Sequence, residues 1–344
     1  MSKKYGEAIT IANSEDEKEK ILSKYIKGKP EEITSKLAVE PVLRSSILGL
    51  IASEVISNKK QLIDFFGSTF YGFQYKDTSG LHNKLKRILE QLHKYDFIKL
   101  EEDKFKATIL GKRISQLYLD PESAWVLLRG LKRASLNVGV FSLLHLISYT
   151  IDMNPLPFKG AEWDEINEEV VKNEKKFLLN IPQEWDPEYD FFLSSVKTAL
   201  VFEDWINEKS EEYILEKYKL RPGALYAKLK NADWLLYASQ EISRILSLKS
   251  LQAPIRKTRL RVKYGIKENL LPLVKLKNIG RVRARRLIDL GVNNLGDLKK
   301  IPVNKLSKAV GKKVAVSLKE QVGIKIDPKN VRIHRKGQQE LGSF

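Results

Sequence analysis

The chain has 344 residues, a net charge of +18, 42% hydrophobic residues and no cysteine. That is enough apolar material for two or three folded domains, and it excludes disulfides and thiolate zinc sites. Only four histidines, no leader pattern and no apolar run of membrane-spanning length lead us to expect a soluble, cytoplasmic chain without a metal centre.

The charge is unevenly placed. Residues 254–344 hold 24 Lys and Arg against 6 Asp and Glu, an excess of 18, so the 37 positive and 37 negative residues elsewhere cancel. This is a localised polyanion footprint on a neutral body. No stretch there combines a broad apolar face with aromatic anchors, which argues against a membrane surface as the polyanion.

Taken in order, residues 5–12 read as one short strand. Ser14 then caps a charged helix running to about Lys27, where Gly28-Lys29-Pro30 stops it. A lone strand and helix cannot bury themselves, so residues 1–39 look like the edge of a domain held elsewhere. Residues 40–120 read as a winged helix. Leu43, Ile47, Leu50, Ile51 and Val55 have helical spacing, and Asn58 caps a second helix. Leu81, Leu85, Ile88, Leu89 and Leu92 mark a third. Two short strands flanking Glu101-Glu102-Asp103 form the wing. Lys84, Lys86, Arg87 and Lys94 line the third helix, either as a DNA-reading face or as a solvated one.

Residues 121–253 predict a bundle of six or seven helices, broken at Asn154-Pro155-Leu156-Pro157 and Asp186-Pro187. Its last long helix opens at Pro222-Gly223 and runs to about Leu248. At about 100° per residue, Leu225, Leu229, Ala232, Leu236 and Ser243 share one side. Trp234 falls opposite, with Ala227, Lys230, Asn231, Tyr237 and Glu241. A Trp beside a Lys there suits either base stacking or packing against a neighbouring helix.

Residues 254–330 predict a small basic helical domain. In Leu276-Lys277-Asn278-Ile279-Gly280-Arg281-Val282-Arg283-Ala284-Arg285-Arg286-Leu287, a sharp turn joins two apolar helical runs. The pattern matches a helix-hairpin-helix with Asn278 in place of the first glycine, since Asn also tolerates positive φ. The helix N-terminus beginning at Gly280 offers free N–H groups to a phosphate, and Arg281, Arg283, Arg285 and Arg286 crowd it. A weaker second hairpin surrounds Gly311. Residues 331–344 read as a flexible basic tail. It ends in Gln338, Leu341 and Phe344 at positions 1, 4 and 7, which resembles the sliding-clamp (PCNA) interaction box without its second aromatic.

Phosphate-binding glycine loops, Rossmann glycines and metalloprotease motifs are absent, and no catalytic residue can be named. The order of parts nevertheless resembles the C-terminal half of an archaeal Hjm-type superfamily 2 DNA helicase. Lys24-Tyr25-Ile26-Lys27-Gly28-Lys29-Pro30-Glu31 is similar to the run after that family's last ATPase motif. Ser35-Lys36-Leu37, Ala107-Thr108-Ile109-Leu110-Gly111 and Leu119-Asp120-Pro121 resemble its winged helix. Ser195-Val196-Lys197-Thr198-Ala199-Leu200 and Asp204-Trp205-Ile206 resemble its helical ratchet domain, and residues 279–287 its terminal hairpin.

The resemblance implies a mainly α chain: the end of a second RecA-like motor domain with one remnant β-strand, a winged helix, a ratchet bundle and a basic helix-hairpin-helix domain. It implies a part of an ATP-dependent 3′–5′ helicase acting on forked or single-stranded DNA in repair and recombination, near the nucleoid. ATP and Mg would bind motor domains before residue 1, leaving no cofactor here. Trp234 would stack on a base. The family's Arg two turns earlier is Ala227 here, which shifts the cationic contact to Lys230 or Lys228. Two alternatives stand beside this: a clamp-tethered DNA-binding adaptor, and a helix-hairpin-helix glycosylase using Asp297.

Overall fold

The computed structural model describes residues 6–75, 78–102, 104–134 and 138–327. Residues 6–12 do not form the expected strand; they belong to no regular element, with Ile9 and Ile11 about four-fifths exposed. A strand needs a neighbour for its N–H and C=O groups. Among the described residues the sheet is the two-stranded wing, far along the chain. Helix α1 (Glu15–Ile21) starts at Ser14, whose hydroxyl accepts from the Glu17 N–H, and continues as a π-helical turn over Leu22–Ile26.

The three helices and the strand pair expected over residues 40–120 are present. Helix α2 (Glu40–Ala52) buries Leu43, Ile47, Leu48 and Ile51. It ends before Val55, which faces solvent, and left-handed Glu54 turns Ile56 into the core instead. Asn58 caps α3 (Lys59–Gly67) by accepting from the Gln61 N–H at 2.9 Å. Helices α4 (Phe70–Tyr75) and α5 (Thr78–Lys94) follow. Strands β1 (Ile98–Glu101) and β2 (Lys104–Ala107) pair antiparallel with Ile98 opposite Ala107. Thr108 then caps α6 (Ile109–Gln116).

The bundle comprises α7 (Pro121–Arg133), α8 (Val140–Ser148), α9 (Trp163–Asn173), α10 (Tyr189–Ile206), α11 (Glu211–Tyr218), α12 (Pro222–Ile245) and α13 (Lys249–Tyr264). Helix α13 runs straight through the expected boundary at 253/254. Pro254 lies inside it, while Leu251, Ile255 and Val262 stay in the bundle core. That core is continuous with the winged helix, from Leu43 to Val262.

A separate core serves the basic domain, built on Ile266, Leu273, Ile279, Ala284, Leu287, Leu306 and Leu318. Its helices are α14 (Leu271–Val274), α15 (Arg281–Asp289), α16 (Leu295–Lys300), α17 (Val303–Val310) and α18 (Lys312–Gln321). Gly311, at φ +89°, makes the second hairpin turn between α17 and α18. No helix among the described residues is long and apolar enough to cross a membrane.

Candidate nucleic-acid interface

The hairpin turn forms between α14 and α15. Asn278 takes the left-handed conformation at φ +66°, as the missing glycine demands. Gly280 is the extended N-cap of α15 and no side chain caps that helix. The first-turn N–H groups are therefore left for an external acceptor, at the positive end of the helix dipole.

The four arginines separate into two pairs. Arg281 lies over the Trp205 ring, 4.1 Å from its centroid, and donates to the Lys209 carbonyl at 2.6 Å. Arg285 donates to the Glu208 carbonyl at 2.8 Å and stands 3.5 Å from the Glu208 carboxylate. Both belong to a latch between the basic domain and the loop after α10. Burial, with Arg285 alongside, holds the Arg281 guanidinium below the usual arginine range. Arg283 and Arg286 are exposed; among the described residues their hydrogen bonds go to the carbonyls of Asn278 and Ala309. Arg283 stands in the first turn, beside the open N-terminus, and Arg286 in the last turn of the same helix.

Trp205, at the hub of the latch, is a residue that sequence reasoning quoted without assigning it a role. Its indole N–H donates to the Val262 carbonyl at 2.8 Å. Gly265 ends α13 at φ +61°, and a Cβ there would stand 2.5 Å from the Trp205 ring. A helix-ending glycine and a tryptophan sixty residues before it gave no local signal that they meet.

Helix α12 carries the second set of candidates. Lys230 is exposed, 5.1 Å above the Tyr226 ring, and Tyr226 is itself 62% exposed. Lys228 turns away to the carbonyls of Met153 and Asn154, where burial lowers its pKa. Of the two lysines considered for the cationic contact, only Lys230 is free of carbonyl partners among the described residues. Trp234 is half-buried, with its indole N–H donating to the Leu117 carbonyl of the winged helix at 3.0 Å. Glu241 is buried and paired with Arg113 and Arg244, so its charge does not stand against a phosphate. The face opposite the apolar stripe thus divides. Trp234, Tyr237 and Glu241 meet the winged helix, whereas Tyr226, Ala227 and Lys230 stay open.

Two further expectations are placed. Lys84, Lys86, Arg87 and Lys94 all lie exposed on α5, with Arg87 paired to Glu40. Asp297 accepts from the Asn293 N–H and the Asn294 side chain at the start of α16, a capping arrangement. Gln338, Leu341 and Phe344 lie outside the described residues.

Comparison with known proteins fits this arrangement. The family described as archaeal helicase, domain 4, matches residues 141–265, the bundle from α8 to Gly265. An ATP-dependent DNA helicase Hel308 from Methanocella arvoryzae is 36% identical over 330 residues, covering 94% of this chain and 44% of that protein. The Thermococcus kodakarensis protein of the same name is 36% identical over 97% of this chain and 30% of its own length. That of Pyrococcus horikoshii is 35% identical, over 96% and 46%. The chain spans less than half the length of these curated relatives. These matches are consistent with the C-terminal half of an archaeal superfamily 2 helicase.

Proposed function

We propose that this chain is the DNA-binding, strand-guiding part of an ATP-dependent 3′–5′ DNA helicase that works on forked DNA at stalled replication and recombination intermediates. The observation that carries the DNA reading is the uncapped N-terminus of α15, with the exposed Arg283 in its first turn and the exposed Arg286 further along the same helix. The polarity, the fork substrate, the repair role and the nucleoid setting rest on the resemblance to the family. ATP and Mg belong to the motor domains that partner this part. The residues here do not suit them: the sequence has no phosphate-binding glycine loop, and among the described residues no group of three His, Asp or Glu is placed to hold a metal ion.

The chain is expected to bind single-stranded or forked DNA without ATP and to hydrolyse none. If roughly five phosphates are neutralised, log K falls with log salt at a slope of about −3.5 to −4.5. Binding indifferent to salt would sink the electrostatic account.

Trp234 stacks on a base in this reading, and Trp234→Ala is expected to weaken single-strand binding by about 1–3 kcal/mol with the salt slope unchanged. Because the ring also reaches Leu117, the melting temperature is measured alongside. A lower melting temperature with intact DNA affinity would make Trp234 a packing residue only.

A sliding clamp is a further partner. The spacing of Gln338, Leu341 and Phe344 suits a clamp: a single helical turn formed on binding would put the two apolar side chains together and leave the glutamine to hydrogen-bond at the rim. A peptide spanning residues 336–344 is expected to release heat with the clamp of the same organism. Equal binding by a peptide carrying Leu341→Ala and Phe344→Ala removes the idea.

A further inference from the structure

Tyr118 is 90% exposed, although its neighbours Leu117 and Leu119 are buried. It adopts the left-handed conformation at φ +55°. The reason is the way α6 ends. The Tyr118 N–H donates to the Ser115 carbonyl at 3.0 Å and the Leu119 N–H to the Ile114 carbonyl at 3.3 Å. Leu119 and Ile114 are both in the core. This is the double-bonded helix ending in which the left-handed position favours glycine. A ring-bearing residue is a poor occupant, since its Cβ crowds the following carbonyl. The backbone therefore gains nothing from tyrosine, and the side chain buries nothing.

The position of that ring is informative. The carbonyl immediately before Tyr118, that of Leu117, accepts the indole N–H of Trp234. Tyr118 thus leaves the winged helix beside the point where α12 meets it. On α12, Tyr226, Lys230 and Trp234 follow at four-residue spacing, roughly 6 Å of rise each, along one face. Among the described residues Tyr118 stacks on no other ring and its hydroxyl makes no hydrogen bond, so both its faces are open. Aromatic faces interleaved with a cation are what a single-stranded nucleic acid needs for sequence-tolerant stacking.

We propose that Tyr118 is a base-stacking residue on the winged-helix side of the single-strand track, receiving an unpaired base next to Trp234. This rests on the reading of α12 as the strand-bearing helix. It adds a second domain to the track, so that the strand is held across the joint between winged helix and bundle.

The two roles of the position make opposite predictions for one substitution. Tyr118→Gly relieves the backbone and is expected to raise the melting temperature by about 1–3 °C. The same change removes the ring and is expected to weaken binding of an oligothymidine by about 5- to 100-fold. Binding of an abasic oligonucleotide of equal length, which offers phosphates without bases, is expected to be unchanged. Tyr118→Asn, also at ease in the left-handed region, separates ring loss from glycine flexibility and is expected to bind as weakly as Tyr118→Gly. Tyr118→Trp is expected to retain affinity. Unaltered oligothymidine binding by both Tyr118→Gly and Tyr118→Asn overturns the proposal while leaving the strand-track reading standing. A wild-type chain that binds oligothymidine no better than the abasic strand overturns that reading, and the proposal with it.

Discussion

At pH 8, replacing Arg44 with methionine is expected to destabilise the chain by about 3–5 kcal/mol, the cost of leaving a buried charge unpaired. At pH 5 much of that loss is expected to return. Arg44 Nε and Nη2 both donate to Asp120 Oδ1, at 3.2 and 2.8 Å, and each side chain is only 6% exposed. The same oxygen accepts from the Glu122 N–H and so caps α7. Burial pushes the Asp120 carboxyl up to about 6, against the downward pull of Arg44. Its folded pKa thus lies above the ordinary aspartate value near 4, so the stability it contributes is full below about pH 4 and lost as pH rises through about 6. Without Arg44 the folded pKa rises further, and acid neutralises the carboxyl that the substitution left unpaired. Urea unfolding at the two pH values measures this, and an equal loss at both would refute it. Adding Asp120→Leu to the methionine variant should recover most of the stability at pH 8, because an apolar pair of similar volume fills the same space.

This pair also connects to the proposed strand track. Arg44 belongs to the first winged-helix element and Asp120 opens the bundle. The Asp120 N–H donates to Asp152, whose carbonyl accepts from Asn231 on α12. One polar chain therefore runs from the winged helix to the helix carrying Trp234. The continuous core from Leu43 to Val262 makes winged helix and bundle one mechanical unit.

Much of this was readable from the sequence, because the signals were local. Asn58 and Pro222 mark helix starts by backbone chemistry within three residues, and the wing follows from two short runs around an acidic turn. The strand expected at residues 5–12 was not, because strand formation depends on a neighbour that no local pattern reveals. The arginines illustrate the same limit. Arg281 and Arg285 are four apart on α15, and Arg283 and Arg286 are three apart, so periodicity already places them on two faces. Which face would be covered depended on Glu208 and Lys209, more than seventy residues earlier. Lys228 and Lys230 likewise look alike in sequence, and only the carbonyls of Met153 and Asn154 set them apart.

The arginine pairs yield the sharpest expectation about DNA. An exposed arginine that neutralises one phosphate releases about 0.7 to 0.9 of a counterion, depending on strand form. Replacing Arg283 and Arg286 together with alanine should therefore flatten the salt slope by about 1.4 to 1.8, equally for every DNA sequence. Arg281 and Arg285 have little to give a phosphate while the latch is closed. Their guanidinium groups are engaged by the Trp205 ring, by two backbone carbonyls and by Glu208. Replacing that pair with alanine should leave the slope nearly unchanged. It should instead free the basic domain from the loop after α10, increasing protease sensitivity between α13 and α14 and shifting Trp205 emission as the indole gains water. Fluorescence anisotropy over a salt series with a labelled single strand, run beside limited proteolysis, reads both effects. A slope that flattens as much for the Arg281 and Arg285 variant as for the other would show that the latch opens on DNA and presents all four arginines to the backbone.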